Sequence, residues 1–144
     1  MWSDTLLAAE RGHLIRIFVW AVASTVVGTG IVSGLTVRRL SAPIVFWFAI
    51  QTIVLSSLEL IVTTARWLGL SMRDVSAAAR LDRFTWFVVG IDAGIIGVGV
   101  AIAAMAWTRQ RRLGAFGGGL GVVVQGLGLL VLDLTFTSIL ARLV

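Results

Sequence analysis

Three acidic residues stand inside long apolar stretches of this chain, and they are the residues best placed to do chemistry. Glu59, Asp92 and Asp133 each lie well inside a segment that is otherwise apolar enough to cross a bilayer. An ionisable group in hydrocarbon is costly, so such residues usually mark a binding site, a proton pathway or a specific pairing. The sequence therefore predicts a site around these three carboxyl groups.

The three acids are predicted to share one level of a helical bundle. Counted at about 1.5 Å per residue from Trp67, Trp86 and Arg142, each carboxyl group lies roughly 9 to 14 Å below the membrane boundary. Ser24 and Thr25 of the first apolar segment fall at the same level and supply hydroxyl groups. Three carboxylates at one depth repel and desolvate one another, so we expect some to be protonated or to share a proton or a cation.

Two interpretations of this layer remain open. In the first, protonated acids hydrogen-bond to Ser24, to Thr25 and to each other and only fasten the bundle. In the second, the acids form a site for a proton, a cation or a cationic ligand, and they exchange protonation for occupancy by the bound species.

Two glutamines predict a second polar layer nearer the opposite membrane surface. Gln51 and Gln125 each stand two to three helical turns inside an apolar segment, where we expect their amides to pair across helices. Interhelical hydrogen bonds of this kind contribute about 0.6 to 2 kcal/mol. A structural role explains this layer adequately.

The composition assigns the chain to the integral membrane proteins. Hydrophobic residues make up 58% of the 144 positions and charged residues only 13%, with a mean hydropathy of +1.01, far outside soluble usage. Four segments reach the ~20 residues that a membrane helix needs, over about 14–37, 43–68, 84–107 and 116–140. We predict one transmembrane domain over 1–144, an all-α four-helix bundle built from two antiparallel hairpins.

Two further segments predict short helices lying in the membrane interface. One is at the N terminus, where Leu6, Leu7 and Leu14 share a face, and the other lies between the second and third spans. In the second segment, Ser71 and Asp74 resemble a helix-capping pair.

Small residues four positions apart predict where helix backbones approach closely. The pairs are Gly30 with Gly34, Gly90 with Gly94, Gly117 with Gly121, and Gly99 with Ala103. Such spacing is typical of close helix contacts in membranes. Because Asp92 lies between Gly90 and Gly94, we expect it to face the interior of the bundle.

The two halves of the chain look alike. The run Gly28-Thr29-Gly30 parallels Gly97-Val98-Gly99, and in the second and fourth spans a glutamine precedes an acid by eight residues, Gln51 with Glu59 and Gln125 with Asp133. A duplicated hairpin would explain this, as in some transporters. Chance matches within low-complexity apolar sequence are the alternative.

The basic residues are all arginines and cluster at the ends of the spans. We interpret them as headgroup anchors and not as a nucleic-acid surface. Seven lie on the side of the termini and five in the two tight turns, which favours both termini in the cytoplasm. With five of the tryptophans as interfacial anchors, Trp20 among them, this predicts a multi-pass protein of the bacterial cytoplasmic (inner) membrane.

Enzymatic and metal chemistry find little support in the sequence. The chain has no cysteine, and its one histidine, His13, precedes the first span, so we expect it to be interfacial. One histidine excludes haem ligation by two histidines of one chain and argues against a zinc site. With no phosphate-binding loop, dinucleotide fingerprint or catalytic triad, we predict no enzyme, no cofactor and no metal.

Short motifs, mostly in the second half, together resemble a known kind of protein. They are Leu81-Asp82-Arg83-Phe84, Gly90-Ile91-Asp92-Ala93-Gly94, Gly114 with Val124-Gln125-Gly126, Leu132-Asp133-Leu134 and, in the first span, the stretch from Arg11-Gly12 to Trp20-Ala21. They resemble an uncharacterised bacterial family of small four-helix membrane proteins, a domain of unknown function. The resemblance implies the fold and supports Asp92 and Asp133, but implies no activity. The second span, with Gln51 and Glu59, departs from the family pattern.

The sequence leaves two functions from different classes. The leading one is a non-enzymatic membrane protein, transporter-like or sensor-like, whose Glu59, Asp92 and Asp133 bind a proton, a cation or a cationic ligand. The alternative is an accessory or structural subunit that packs against a larger membrane complex through its glycine faces and its second helix. The expected partners are the lipid bilayer and either a second copy or a larger membrane complex, with no nucleic acid.

Overall fold

Four long helices make up the computed structural model, which describes residues 2–110 and 112–143, with side chains for 2–108 and 112–143. The helices are α1 (Trp2–Val37), α2 (Pro43–Leu68), α3 (Val75–Met105) and α4 (Leu113–Leu140), and a π-helical turn, Ala106–Gln110, extends α3. Each is long and apolar enough to cross a membrane. The described residues contain no strand. The predicted all-α four-helix fold is therefore confirmed.

α4 is the central helix of the bundle. It packs along α3 and α2 and, over a shorter length, along α1, while α1 packs along α2. Each hairpin therefore packs within itself, and the contact between α2 and α4 joins the two hairpins.

The helix ends follow from local chemistry. α2 starts at Pro43, whose missing N–H is not needed in a first helical turn. The turn before it places Arg39 at a φ of 51°, a left-handed conformation suited to a sharp reversal. α3 starts after Asp74, whose carboxylate accepts a 2.6 Å hydrogen bond from the Ala77 N–H.

The two predicted interfacial helices are not separate elements. The N-terminal segment is the first part of α1, and the residues after Asp74 are the first turns of α3. Neither stretch contains a proline, and Gly12 within α1 lowers helix stability by only about 1 kcal/mol relative to alanine, so the helices continue. Their apolar faces join the end of α4 in a cluster of Leu6, Ala78, Leu81, Phe136 and Leu140.

Glycines bring α4 close to its neighbours. A Cβ atom on Gly119 would lie 2.7 Å from the backbone nitrogen of Ala103 in α3, and one on Gly121 would lie 2.9 Å from the Phe48 carbonyl oxygen in α2. A Cβ on Gly117 would collide with the backbone of Ile44. The predicted close approach at Gly117 and Gly121 is confirmed.

The prediction for the other two glycine pairs is wrong. Gly30, Gly34, Gly90 and Gly94 are exposed, and a Cβ at each would meet no atom within 4 Å. At 3.6 residues per turn, a residue two positions away points about 200° around the helix. Asp92 is buried, so the glycines two residues on either side of it must face outward.

Candidate functional site

Asp133 of α4 lies at the centre of the candidate site. Its Oδ1 atom is 2.9 Å from Nε2 of His13 in α1, and the two residues are 3% and 1% exposed. His13 is expected from the sequence to be interfacial, but it is buried in the bundle, because α1 begins eleven residues before it, at Trp2. Its spacing from Leu6, Leu14 and Ile17, all buried on the same side of α1, is the signal that sequence reasoning missed.

The imidazole ring of His13 is held between α1 and α4. It stacks on Phe136, with ring centroids 4.2 Å apart and planes 7° apart. Phe136 follows Asp133 by three residues, so one face of α4 supplies both the stacking surface and the carboxylate. Neither ring nitrogen makes a hydrogen bond of good geometry within the described residues, so the contact with Asp133 has the distance but not the alignment of one.

Asp92 of α3 lies near Asp133. Its carboxyl group is near enough to that of Asp133 for the two to interact electrostatically, and Asp92 is itself only 3% exposed. Oδ2 of Asp92 and Oδ1 of Asp133 are buried and have no hydrogen-bond partner among the described residues. Three helices therefore bring an imidazole and two carboxyl groups into a row.

Glu59 lies beside this row without touching it. The residue is half-buried on α2, and its effect on Asp92 is a longer-range repulsion between carboxylates. Its Oε2 atom is buried and makes no hydrogen bond to any described residue. The structure thus brings together two of the three acids singled out in the sequence and places the third next to them.

Thr25 lies in a hydroxyl pair between α1 and α2. Its Oγ1 donates to the Ala21 carbonyl at 2.9 Å and lies 2.8 Å from Oγ of Ser56, while Ser24 is buried on α1. α1 meets α4 at His13 but meets α2 at Gly28. Among the described residues, neither Ser24 nor Thr25 makes a hydrogen bond to Glu59, Asp92 or Asp133.

The two glutamines lie in different surroundings. Gln125 is fully buried, and its Oε1 accepts a 2.9 Å hydrogen bond from Nε1 of Trp20 in α1. The Trp20 ring lies over Gly128, where a Cβ would collide with it, so this tryptophan is part of the bundle contact and not a headgroup anchor. Gln51 is half-buried and packs its Cβ against Gly121.

Charged residues surround the end of the site nearest the chain termini. Glu10, on the same face of α1 as His13, accepts two hydrogen bonds from Arg73, at 2.7 and 3.0 Å. These bonds raise the pKa of the Arg73 guanidinium above its usual range. Arg66 of α2 is half-buried and is attracted electrostatically to Asp133 and Glu10.

A metal site is not evident in this arrangement. Across the described part of the chain, no group of three or more His, Cys, Asp or Glu side chains is placed to hold a metal ion.

Comparison with known proteins places the chain in a family. Residues 16–134 match a family of unknown function, DUF6992. The chain belongs to DUF6992. The resemblance to an uncharacterised family noted in the sequence is confirmed to that extent. The matched range includes Asp92 and Asp133, whereas His13 lies before it, so the pairing of His13 with Asp133 joins a residue outside the match to one inside it. No curated protein and no solved structure matches the chain.

Proposed function

We propose that this protein is a non-enzymatic, multi-pass protein of the bacterial cytoplasmic membrane that binds and relays protons through His13, Asp133 and Asp92. The single observation that carries the proposal is the burial together of His13 and Asp133, 2.9 Å apart, with Asp92 close enough to interact with Asp133. A transporter-like and a sensor-like role would both use this reversible binding of protons.

Two carboxyl groups close together and shielded from water cannot both remain ionised, so they hold one proton between them. An imidazole accepts a proton at one nitrogen and donates one from the other, which lets His13 exchange protons with Asp133. Rows of ionisable residues inside membrane proteins commonly serve as proton pathways.

The same geometry favours a proton over a larger cation or a cationic ligand. Asp92 and Asp133 are each only 3% exposed, and within the described residues no group of three or more His, Cys, Asp or Glu side chains is placed to hold a metal ion. The cleft of about 300 Å³ between α1 and α2 has a different lining, which includes Leu14, Phe18 and Trp67.

The helices and the arginines support the proposed location in the membrane. Four helices long and apolar enough to cross support a multi-pass protein. The larger number of arginines on the side of the termini supports a cytoplasmic location for both.

Infrared difference spectroscopy of the purified protein tests the proton site. We expect a carbonyl band from a protonated buried carboxyl group at neutral pH that shifts in D₂O and is lost in both Asp92→Asn and Asp133→Asn. Asp82→Asn, on the same helix as Asp92 but nearer its N terminus, is the matched control and keeps the band. A wild-type spectrum without the band, or a band that survives both substitutions, contradicts the proposal. Proton flux into liposomes then separates transport from sensing.

A second candidate, an accessory subunit or a homo-oligomer, rests on a different observation. The outward-facing glycines of α1 and α3, Gly30, Gly34, Gly90 and Gly94, leave open surfaces on which another helix could pack closely. Substitution of Gly90 and Gly94 by leucine would then release a partner that co-purifies from native membranes, with the carboxyl infrared band unchanged.

A further inference from the structure

A basic cleft lies where α2 ends and α3 begins, apart from the carboxyl row. It has a volume of about 330 Å³, and its lining includes Glu10, Arg66, Arg73, Arg80 and Phe84. Such a volume is within the range of about 300 to 1,000 Å³ typical of small-ligand sites. The cleft is large enough for a polar headgroup.

The charges lining the cleft do not balance. Three arginines face one carboxylate, which leaves a formal charge of three minus one, or +2. The carboxylate of Glu10 is occupied by both hydrogen bonds from Arg73. Arg66 and Arg80 have no ion-pair partner among the described residues, although Arg80 donates a 3.3 Å hydrogen bond to Ser76 and attracts Asp74 at longer range.

Arg66 is held in a position to receive an anion. Its guanidinium carbon lies 5.9 Å from the centre of the Phe84 ring, a distance at which the ring face attracts the cation. The five N–H donors of a guanidinium match phosphate oxygens in a forked, two-bond geometry. The half-buried position of Arg66 reduces the water that competes for those donors.

A neighbouring tryptophan indicates that the cleft is at the level of lipid headgroups. Arg66 immediately precedes Trp67, which is exposed near the end of α2, and tryptophan in such a position marks the membrane boundary. Basic pockets between membrane helices at this level bind phosphate-bearing headgroups.

We propose that this cleft is a specific site for a phosphate-bearing anion, with the headgroup of an acidic phospholipid as its occupant. Arg66 and Arg80 bind the phosphate, while Glu10 holds Arg73 in place. The proposal goes beyond the proton site: Arg66 is attracted electrostatically to Asp133, but none of His13, Asp92 and Asp133 lines the cleft.

Native mass spectrometry of the full-length protein in a neutral detergent tests this site. We expect one molecule of phosphatidylglycerol to bind saturably and more tightly than phosphatidylcholine. Arg66→Gln and Arg80→Gln should each weaken binding about five-fold, and the double variant about 25-fold, from the usual contribution of one arginine near a charged surface. Arg83→Gln, an exposed arginine of α3 outside the cleft lining, is the matched control and should change binding less than two-fold.

The outcomes distinguish a specific binding site from general electrostatic attraction between arginines and acidic lipids. Equal weakening by Arg83→Gln and Arg80→Gln, or equal binding of phosphatidylglycerol and phosphatidylcholine, overturns the proposal. If inorganic phosphate binds in place of the lipid with the same dependence on Arg66 and Arg80, the phosphate site stands and its source is soluble. Arg80 is exposed, so Arg80→Gln is expected to fold. Its comparison with Arg83→Gln therefore tests the phosphate site even if Arg66→Gln fails to fold.

Discussion

α2 and α4 run in the same direction and carry the same polar pattern, yet the structure uses the two patterns differently. Gln125 and Asp133 of α4 are fully buried and meet Trp20 and His13 of α1. Gln51 and Glu59 of α2, with the same spacing, are half-buried and make no hydrogen bond to the described residues. Equal spacing therefore does not produce equal sites. The position of the helix in the bundle decides whether its polar side chains are buried and hydrogen-bonded.

Glycine accounts for the central position of α4. The helix has small residues facing α2 at Gly117 and Gly121, facing α3 at Gly119, and facing Trp20 of α1 at Gly128. α2 contains no glycine between its first and last residues. Three neighbouring helices pack closely around α4, so Gln125 and Asp133 are buried against partners that Gln51 and Glu59 of α2 lack.

The apparent duplication of the hairpin is not reproduced in the packing. Gly28 packs against Ile53 of α2, whereas Gly97, its counterpart in the third span, faces open space. Gly99 packs against Gly119, whereas its counterpart Gly30 faces outward. The contacts of the two hairpins are offset by two residues, so the similarity of the two halves does not predict their contacts.

The largest expected effect on stability is a difference between substitutions of Asp133 in α4 and Glu59 in α2. Asp133→Ala should lower the free energy of unfolding by about 3 to 5 kcal/mol, because it removes one partner of a buried pair and leaves His13 without it. Glu59→Ala should be neutral or stabilising, because Glu59 is only half-buried and, unlike Asp133, has no ion-pair partner among the described residues. Unfolding in detergent, followed by circular dichroism, measures both, and equal losses would remove the distinction between α2 and α4.

Glycine substitution tests why α4 is central. Gly119→Ala should destabilise the bundle by about 1 to 3 kcal/mol, since the added methyl group meets the backbone of Ala103. Gly118→Ala, one residue earlier and facing open space, should instead be neutral or stabilise α4 by up to about 1 kcal/mol. The same unfolding assay measures both variants. If Gly118→Ala is also destabilising, close helix packing is not the cause of the loss of stability in Gly119→Ala.

A smaller effect is expected at the glutamines. Gln125→Leu should lower stability by about 0.6 to 2 kcal/mol, the range for one interhelical hydrogen bond, and should shift the NMR signal of the Trp20 indole N–H. Gln51→Leu should change neither quantity appreciably. If the Trp20 signal responds to Gln51→Leu and not to Gln125→Leu, the assignment of the hydrogen bond is wrong.

The smallest effect is expected where α3 begins, at a cap that α2 lacks. The hydrogen bond from the Ala77 N–H holds the pKa of Asp74 below its usual value. Its stabilisation is therefore complete above the usual aspartate pKa of about 3.9 and is lost as the pH falls through the lower folded pKa. Thermal unfolding as a function of pH should show a difference between wild type and Asp74→Ala that disappears in strong acid. Ser71→Ala, at an exposed neighbour, should show no such pH-dependent difference.

The sequence by itself determined the helices. Four spans, the start of α2 at Pro43 and the end of α4 at Leu140 follow from apolar length and turn chemistry, which act between residues close in the chain. It also determined which acids would lie in apolar surroundings, because a residue far from the end of a span has no route to water.

Only the tertiary structure decided which side chains meet. His13 with Asp133, Trp20 with Gln125 and Thr25 with Ser56 are pairs separated by 31 to 120 residues. Each depends on how far one helix is rotated and tilted against another, and a rotation of one residue, about 100°, would replace every partner. That rotation is set by where glycines allow backbones to touch, which is a property of the assembled bundle and not of any one helix.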